Sequence, residues 1–407
     1  MVSYRKVLGV GFLYHDMSIR NSACIAGAYE HPTREAPDKS TAQLHAEIAR
    51  GTLADAGIEK DDVDGYLTAG APGWLQGLTM ADYLGLEDLS YVDTTDVGGS
   101  SYISHVGHAA AAIKTGKADV VLITLAGRPR SASGGADPEG GSTPAPGSAF
   151  EDVFGTSTAG SYALAAQRHM AEYGTTPEQL AEIRVAASQH AQHNDHAMHQ
   201  DPVTIEDVVS SRMISDPLHL LDCCVISDGG GGLLVVSPEV ADGLDRESPV
   251  ILGHGEAPKH REAGRMDITY TGAVESGPRA FEEADVRPDD IDYASIYDSF
   301  TITVLETLED LGFCEKGEGG SFVEGGTLQA PDGELPFNTD GGGLCNNHPG
   351  NRGGMTKVIE AVRQLRGEAN PEVQVDDCAL ALAHGTGGNI SIRMESVTLV
   401  LGEEGYL

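Results

Sequence analysis

One order of structural parts occurs twice along this chain of 407 residues. An acidic stretch, a glycine-rich turn and an apolar strand follow one another at residues 61–64, 94–99 and 119–125, and again at residues 289–292, 338–343 and 377–383. Such a repeat predicts a duplicated α/β unit in which each half buries a sheet against helices. Two such halves would face each other, with both glycine-rich turns at one site.

Apolar runs alternate with helical patterns through both halves, which indicates a parallel sheet covered by helices. The predicted strands lie at residues 6–12, 61–67, 89–92, 120–125, 232–237 and 377–383, and the predicted helices at residues 39–56, 80–86, 162–173, 177–199 and 355–365. The linker at residues 238–249 is the predicted boundary between an N-terminal half, residues 1–245, and a C-terminal half, residues 246–407.

The N-terminal half contains a predicted insertion at about residues 128–215, which starts with a run rich in Gly, Ser and Pro. This composition does not form a regular element, and a long loop in a compact domain is typical of a lid. Phe150 and Phe154 near the end of the run predict a lid that packs against the protein.

Residues 94–113 begin with a glycine-rich turn and continue as a helix of small residues. Small side chains on nearly every side predict a helix that is buried all round. At its start, the turn from Gly98 to Ser101 presents backbone N–H groups and two hydroxyls at the positive end of the helix. The turn is therefore suited to a nucleophile or to an anion.

The composition excludes several classes of function. The 62 acidic and 26 basic residues give a formal net charge of −36, which predicts a salt-adapted surface and no binding to nucleic acid. Six cysteines in a chain of this length do not make a disulfide framework. No apolar run reaches the length of a signal peptide or a membrane span. We therefore expect a cytoplasmic protein without membrane contact.

Four stretches carry a resemblance to a known family: Ser211-Arg212-Met213-Ile214-Ser215-Asp216-Pro217-Leu218, Tyr297-Asp298-Ser299-Phe300, Gly341-Gly342-Gly343-Leu344-Cys345-Asn346-Asn347-His348-Pro349-Gly350 and His384-Gly385-Thr386-Gly387-Gly388. With these stretches the chain resembles the thiolase superfamily, in the branch of the sterol-carrier-protein-type thiolases. The resemblance implies the α/β thiolase fold, in which two duplicated βαβαβαββ-type halves form a five-layered αβαβα core.

The same alignment shows what the chain lacks. Thiolases attack with a cysteine at the N-terminus of the buried helix, and Gly99 occupies that position here. Tyr297 stands in place of their first catalytic histidine and His384 in place of their C-terminal cysteine, whereas His348 is retained. This pattern resembles thiolase-like aldolases of steroid side-chain breakdown, which cleave 3-hydroxyacyl-CoA by retro-aldol chemistry without a covalent acyl-enzyme.

The resemblance implies a role for each of these residues. Tyr297 would be the base or proton relay, activated by His348 or His384, because a phenol with a pKa of about 10 is a weak base unaided. An oxyanion hole would come from His348 and the backbone N–H groups around Gly387. The residues expected to contact the acyl-CoA are Ser100, Ser101, Asn346 and Gly387.

No covalently bound cofactor is expected, because the CoA thioester is itself the substrate. No metal is expected either, since His190, His193, His196 and His199 would spiral around a helix. The candidate cations for the CoA phosphates are Arg128, Arg130, Lys259, Arg261 and Arg265.

Two other functions stay open. One is an acetyl-CoA C-acyltransferase that uses Ser100 or Ser101 as a substituted nucleophile, and the other is a non-catalytic acyl-CoA-binding subunit. The resemblance also implies a homodimer and a small OB-fold partner protein that carries a zinc ribbon and completes the acyl-CoA site.

Overall fold

The structure is a computed structural model and describes residues 18–132, 148–151, 153, 155, 157–259, 267–350, 353–390 and 392–406. The strands are β1 (Cys24–Glu30), β2 (Gly65–Leu67), β3 (Tyr91–Asp93), β4 (Val120–Gly127), β5 (Met213–Ser215), β6 (Leu218–His219), β7 (Gly229–Val236), β8 (Val250–Lys259), β9 (Tyr293–Ile296), β10 (Leu380–Asn389) and β11 (Ile392–Gly402). The helices are α1 (Thr41–Ala56), α2 (Gln76–Leu84), α3 (Ser101–Lys114), α4 (Ser148–Glu151), α5 (Thr158–Tyr173), α6 (Pro177–Ala191), α7 (Ile205–Val209), α8 (Pro238–Ala241), α9 (Ala273–Ala284), α10 (Thr301–Leu311), α11 (Gly319–Phe322), α12 (Gly342–Cys345) and α13 (Gly354–Leu365).

The strand order shows the duplication directly. Within the described residues the main sheet has nine strands in the order β3-β2-β4-β7-β1-β8-β11-β10-β9, and β1 meets β8 at Cys24 and Val250. Outward from this junction, the first half has the order β1, β7, β4, β2 and β3, and the second half has the order β8, β11, β10 and β9. In each half the first strand along the chain is innermost and the last strand lies next to it, while the outer strands pair in parallel. The two halves therefore share one topology. The sheet is mixed rather than parallel, because the last strand of each half runs antiparallel to both of its neighbours.

Two helices lie between the halves. Helix α3 packs on β4 and β7 of the first half and on β10 and β11 of the second, and α13 likewise contacts β1, β7, β9 and β10. Helix α1 covers the outer face of the first half and α9 that of the second. Small residues such as Ala109 and Ala110, which are fully buried in α3, permit this close approach. The layers follow the αβαβα order of the thiolase fold.

Several sequence-based boundaries were wrong. The first described strand is Cys24–Glu30, which the sequence analysis left unassigned, and the strand predicted at residues 6–12 lies outside the described residues. Helix α6 ends at Ala191 rather than at residue 199. Strand β10 runs over Leu380–Asn389 and so continues beyond the predicted end at residue 383. It pairs with β11 along its length, with an irregularity at Gly388, where φ is +79°.

Residues 238–249, the predicted domain boundary, lie between the last strand of the first half and the first strand of the second. Among the described residues, no helix combines the length and the apolar character needed to cross a membrane.

Candidate active site

A cavity of about 260 Å³ opens between the glycine-rich turn before α3 and the loop that precedes α13. Its walls come from the turn before α3, from α5, from the start of α10, from the loop before α13 and from β10. The residues that line it are Gly99, Pro129, Thr158, Tyr162, Cys224, Ile226, Tyr297, Ser299, Phe300, His348, Gly350, Thr386 and Gly388. Two of the three predicted catalytic residues, Tyr297 and His348, are in this wall, and His384 is not.

Tyr297 and His348 form a hydrogen-bonded pair in the cavity wall. The Tyr297 hydroxyl lies 2.8 Å from Nε2 of His348, and the two residues are only 5% and 9% exposed. Burial lowers the pKa of His348 to about 4, and burial, with nearby Cys224 adding to it, raises the pKa of Tyr297 well above 10. At neutral pH the pair is therefore an uncharged imidazole and a phenol. A proton taken up by the phenol oxygen can pass on to Nε2.

Asp298 holds the glycine-rich loop against this pair. Its carboxylate accepts hydrogen bonds from the backbone N–H groups of Gly343 at 2.8 Å and Leu344 at 3.0 Å. Lys357 from α13 lies 2.7 Å from the same carboxylate, and both side chains are buried. Gly342 has a positive φ of +59°, and a Cβ there would lie 2.2 Å from the Asp298 carboxylate. Only glycine permits this approach.

The backbone of His348 is fixed through a second chain of contacts. The His348 N–H donates to Oγ of Ser227 at 2.8 Å, and Ser227 donates to the Asn347 side chain at 2.7 Å. The Asn347 amide then donates to buried Glu30 at 3.0 Å. The loop is thus anchored on both sides of the imidazole.

Asn346, a predicted acyl-CoA contact, belongs to this buried network instead. Its amide donates to Asp340 at 2.9 Å, and its carbonyl oxygen accepts from Arg34 at 2.6 Å. Asn346 is fully buried and does not line the cavity. The structure therefore gives it a supporting contact rather than a contact with substrate.

The turn before α3 has no room for the thiolase nucleophile. A Cβ added to Gly99 would lie 2.3 Å from the carbonyl oxygen of Thr386 and 2.8 Å from the hydroxyl of Tyr297. These separations are far below normal contact distances. A side chain at Gly99 and the present position of Tyr297 exclude each other.

The two serine hydroxyls of the turn are also occupied. Ser100 donates to the carbonyl oxygen of Val97 at 2.9 Å, and Ser101 donates to that of Gly98 at 2.7 Å. Both residues are fully buried and absent from the cavity wall. The geometry does not support either serine as a nucleophile or as a contact for the acyl-CoA.

His384 lies beside the site but is not part of the cavity wall. Its Nδ1 is 2.9 Å from Oγ1 of Thr398, and burial lowers its pKa to about 3. Its backbone carbonyl accepts the N–H of Tyr297 at 2.9 Å. His384 therefore positions the tyrosine through the backbone, and only His348 reaches the phenol.

Gly387, predicted for the oxyanion hole, is packed against the turn before α3. A Cβ at Gly387 would lie 1.6 Å from the carbonyl oxygen of Val97. Its neighbours Thr386 and Gly388 line the cavity in its place.

Several cavity residues had no place among the sequence-predicted site residues. Tyr162 from α5 stacks on Phe300 with ring centroids 4.4 Å apart, which gives the cavity an aromatic wall. Ser299 and Phe300 directly follow Tyr297 and Asp298, so the motif itself was a signal for them. Cys224 is in the wall as well, and burial raises the pKa of its thiol. No sequence pattern pointed to Tyr162.

The Gly/Ser/Pro-rich run that was predicted to form a lid extends from residue 128 to about residue 160, and Pro129 and Thr158 near its two ends line the cavity. Phe150 was expected to pack, but its side chain is 80% exposed. Phe154 lies outside the described residues.

The candidate cations separate into two groups. Arg130 lies near the cavity mouth, with its guanidinium 3.5 Å from the carbonyl oxygen of Ile226, and the guanidinium of Arg128 donates to the carbonyl oxygen of Ala36. Lys259 was wrong as a phosphate ligand because it is buried and its ammonium donates to the carbonyl oxygen of Ile390 at 2.7 Å. Residues 261 and 265 lie outside the described part of the chain.

The histidine run does not form a shared site. Of the four, His190 lies on α6 and the others follow its end, and Nε2 of His190 accepts the N–H of Ala330 at 2.8 Å. Within the described ranges, no group of three or more His, Cys, Asp or Glu residues is arranged to hold a metal ion.

Comparisons with known proteins agree with this arrangement. The family described as "Thiolase C-terminal domain-like" matches residues 255–403. A steroid side-chain-cleaving aldolase of Thermomonospora curvata is 36% identical over 85% of this chain and 90% of its own length. An acetyl-CoA acetyltransferase of Methanothermobacter thermautotrophicus is 33% identical over 88% of this chain and 95% of its own. A solved structure described as an "Ltp2-ChsH2(DUF35) aldolase" is 34% identical, covers 96% of this chain and 100% of its own, and has a TM-score of 0.85.

Proposed function

The chain belongs to the thiolase superfamily, in its sterol-carrier-protein-type branch, and from that premise we propose that it cleaves 3-hydroxyacyl-CoA thioesters by a retro-aldol reaction. The observation that carries the proposal is the contact of 2.8 Å between Tyr297 and His348 in a cavity whose nucleophile position is a glycine. The aldolase relatives support this chemistry, and so does the absence of space for a thiol at Gly99.

The reaction needs one proton acceptor and one site for developing negative charge. Tyr297 accepts the proton of the substrate's 3-hydroxyl as its own proton moves to Nε2 of His348. The bond between the α and β carbons breaks, a carbonyl forms at the β carbon, and the electron pair passes into the thioester enolate. The proton held by the Tyr297–His348 pair then passes to the α carbon of the enolate, and the pair returns to its uncharged state. Atoms and charge balance without a covalent acyl-enzyme.

Backbone N–H groups are the proposed stabilisers of the enolate oxygen. His348 already uses Nε2 for Tyr297, so its ring is not free to serve both purposes at once. The backbone beside Gly387, at Thr386 and Gly388, reaches the cavity and is the better candidate. Arg130 near the mouth is the proposed contact for a CoA phosphate.

We propose that the enzyme works with a second protein of the DUF35 kind, because the solved aldolase of similar fold is described with one. The resemblance further predicts that this partner is an OB-fold protein with a zinc ribbon. Dimerisation remains a prediction, and light scattering of the purified protein would test it. A cytoplasmic location also remains a prediction, which the six free cysteines support.

The test is an incubation with 3-hydroxyacyl-CoA, and separately with 3-ketoacyl-CoA plus free CoA, with and without a DUF35 protein. Release of a ketone or aldehyde without added CoA supports the aldolase. An activity that strictly requires free CoA, and that Ser100→Ala abolishes while Tyr297→Phe leaves it intact, would establish the acyltransferase instead. Binding without turnover of either substrate would indicate a non-catalytic subunit.

A further inference from the structure

One face of helix α10 is polar although the helix is buried on every side. The polar residues of this face are Ser299 just before the helix, Thr303, Glu306 and Asp310. At 100° per residue, Thr303, Glu306 and Asp310 lie within about 60° of one another around the helix axis, and Ser299 precedes the helix on the side of Thr303. The four side chains therefore form a polar stripe along one side of a buried helix, where an apolar surface is the rule.

The stripe begins at the catalytic cavity. Ser299 is part of the cavity wall beside Tyr162 and Tyr297. Its hydroxyl oxygen lies 3.2 Å from Oγ1 of Thr303, one helical turn further on. Hydroxyl pairs at this distance can pass a proton because each oxygen both donates and accepts.

Glu306 is the central residue of the stripe. It is completely buried, and neither oxygen of its carboxyl group has a hydrogen-bond partner. Residues three and four positions apart on a helix are neighbours, so this flexible side chain can reach towards Thr303 or towards Asp310. An unpaired carboxyl group in a core is costly, and such a cost is maintained at sites of function.

The charged groups around Glu306 come from several elements. Glu309 and Asp310 share its helix, Lys259 faces it from β8, and Lys316 follows α10. Burial, followed by the charge of Asp310, raises the pKa of Glu306 well above 4.5, although the two lysines act in the opposite direction. A carboxyl group can both release and take up a proton, and the raised pKa brings the protonated form of Glu306 closer to neutral pH.

The other end of the stripe approaches the surface. Asp310 lies 2.7 Å from the ammonium group of Lys316, whose side chain is 16% exposed. The stripe thus connects a partly exposed ion pair with the wall of the cavity.

We propose that this face of α10, from Asp310 through Glu306 and Thr303 to Ser299, carries protons between the solvent and the catalytic cavity. The inference rests on the proposed function, because it concerns the proton of the Tyr297–His348 pair. Cleavage moves one proton from oxygen to carbon and needs no net supply. Exchange of that proton with water is a separate event.

The experiment compares exchange with cleavage. The enzyme is incubated in D₂O with acetyl-CoA and with propionyl-CoA, and mass spectrometry measures deuterium at the α carbon. Cleavage of 3-hydroxyacyl-CoA is measured in parallel. Glu306→Leu and Glu306→Gln remove the titrating group, and Thr303→Val breaks the hydroxyl contact with Ser299. Thr301→Val is the matched control, because its buried hydroxyl lies about 160° around the helix from Thr303 and donates to Asp222 instead.

In Glu306→Leu and Thr303→Val we expect the ratio of exchange to cleavage to fall at least about tenfold, since one proton-transfer group contributes this much or more. Thr301→Val should keep the wild-type ratio. An unchanged ratio in a folded Glu306→Leu or Thr303→Val protein overturns the inference, and so does wild-type cleavage without any exchange. A wild-type protein that does not cleave 3-hydroxyacyl-CoA would refute the proposed function alone. The rate of α-proton exchange in acetyl-CoA and propionyl-CoA, compared between the wild type and the variants, would then test the stripe.

Discussion

The polar side chains on the two sides of the cavity make opposite kinds of contact. On one side, the turn from Gly98 to Ser101 opens the buried helix α3, and its hydroxyls are bound to backbone carbonyl groups. On the other side, Tyr297 and His348 point at each other and into the cavity. A helix N-terminus is suited to activate a nucleophile. Here it serves as packing, and the chemical groups lie opposite.

A nucleophile on the turn and a phenol on the opposite side are alternatives. The hydroxyl of Tyr297 takes the space that a side chain at Gly99 would need. A thiolase-like site with a cysteine and an aldolase-like site with this tyrosine therefore cannot coexist in this backbone. Loss of the nucleophile and gain of the phenol belong to one change of mechanism.

The largest expected effect comes from Tyr297→Phe. Removal of the hydroxyl deletes the proton acceptor, and cleavage of 3-hydroxyacyl-CoA should fall by about 10²–10⁴-fold. Steady-state kinetics with matched circular dichroism measures this. Ser100→Ala on the opposite side is the comparison: we expect kcat near that of the wild type and a loss of about 1 kcal/mol in unfolding free energy. The reverse ranking of the two variants would place the chemistry at the turn.

Gly99→Cys tests whether the sides exclude each other. The new side chain must displace Tyr297 or Thr386, and a misplacement of about 1 Å can cost about 10²-fold in rate. We expect cleavage to fall by that order and no thiolase activity to appear with 3-ketoacyl-CoA and CoA. Gly243→Ala is the control, since a Cβ there meets only the Val240 carbonyl oxygen at 3.4 Å. A Gly99→Cys enzyme that cleaves at the wild-type rate would contradict the steric argument.

Asp298→Asn tests what holds the catalytic side in place. The variant leaves the buried ammonium group of Lys357 without its counter-charge, and breaking such a pair costs about 3–5 kcal/mol. Denaturant unfolding should show this loss. The double variant Asp298→Asn with Lys357→Met removes the unpaired charge and should recover part of it. If both proteins were equally destabilised, the ion pair would not be the cause.

The smallest expected effect is a difference in pH dependence between the sides. The pKa of His348 is lowered to about 4 by burial, whereas hydrogen bonds to Asp93 and Glu256 raise that of His108 on α3 to about 10. Below pH 6.5 the side chain of His348 binds a proton in the unfolded chain, whereas in the folded protein it stays uncharged down to about pH 4. The free energy of unfolding should therefore decrease as pH falls from 6.5 towards 4. His108 contributes fully below 6.5, and that contribution is lost as pH rises towards 10.

Unfolding free energies measured from pH 4 to pH 10 test this contrast. His348→Gln should flatten part of the acidic side of the profile, and His108→Gln should flatten the alkaline side. Cleavage by the wild type should also fall as pH drops through about 4, because the protonated imidazole cannot accept the proton of Tyr297. An alkaline effect of His348→Gln on stability would reverse the assignment.

Prediction from the sequence worked best where the signal is local or repeated. The internal repeat pointed to two α/β halves, and the strand order agrees. Helix α1 was predicted at residues 39–56 and runs over Thr41–Ala56, because a serine cap and a following glycine mark its ends. Short motifs also identified Tyr297 and His348 as candidates. The end of α6 was missed because its histidine-rich continuation has no capping glycine or proline.

The sequence alone determined the family, the duplicated architecture and the absence of a cysteine from the turn before α3. Only the tertiary structure decided which groups meet. Tyr297 and His348 are 51 residues apart, and the sequence left either His348 or His384 as the partner of Tyr297. In the structure the ring of His384 contacts Thr398 instead. Asn346 likewise turned out to bind Arg34, which lies 312 residues away in the chain. Periodicity and motifs report local geometry, whereas the direction of a buried side chain depends on distant segments that fold against it.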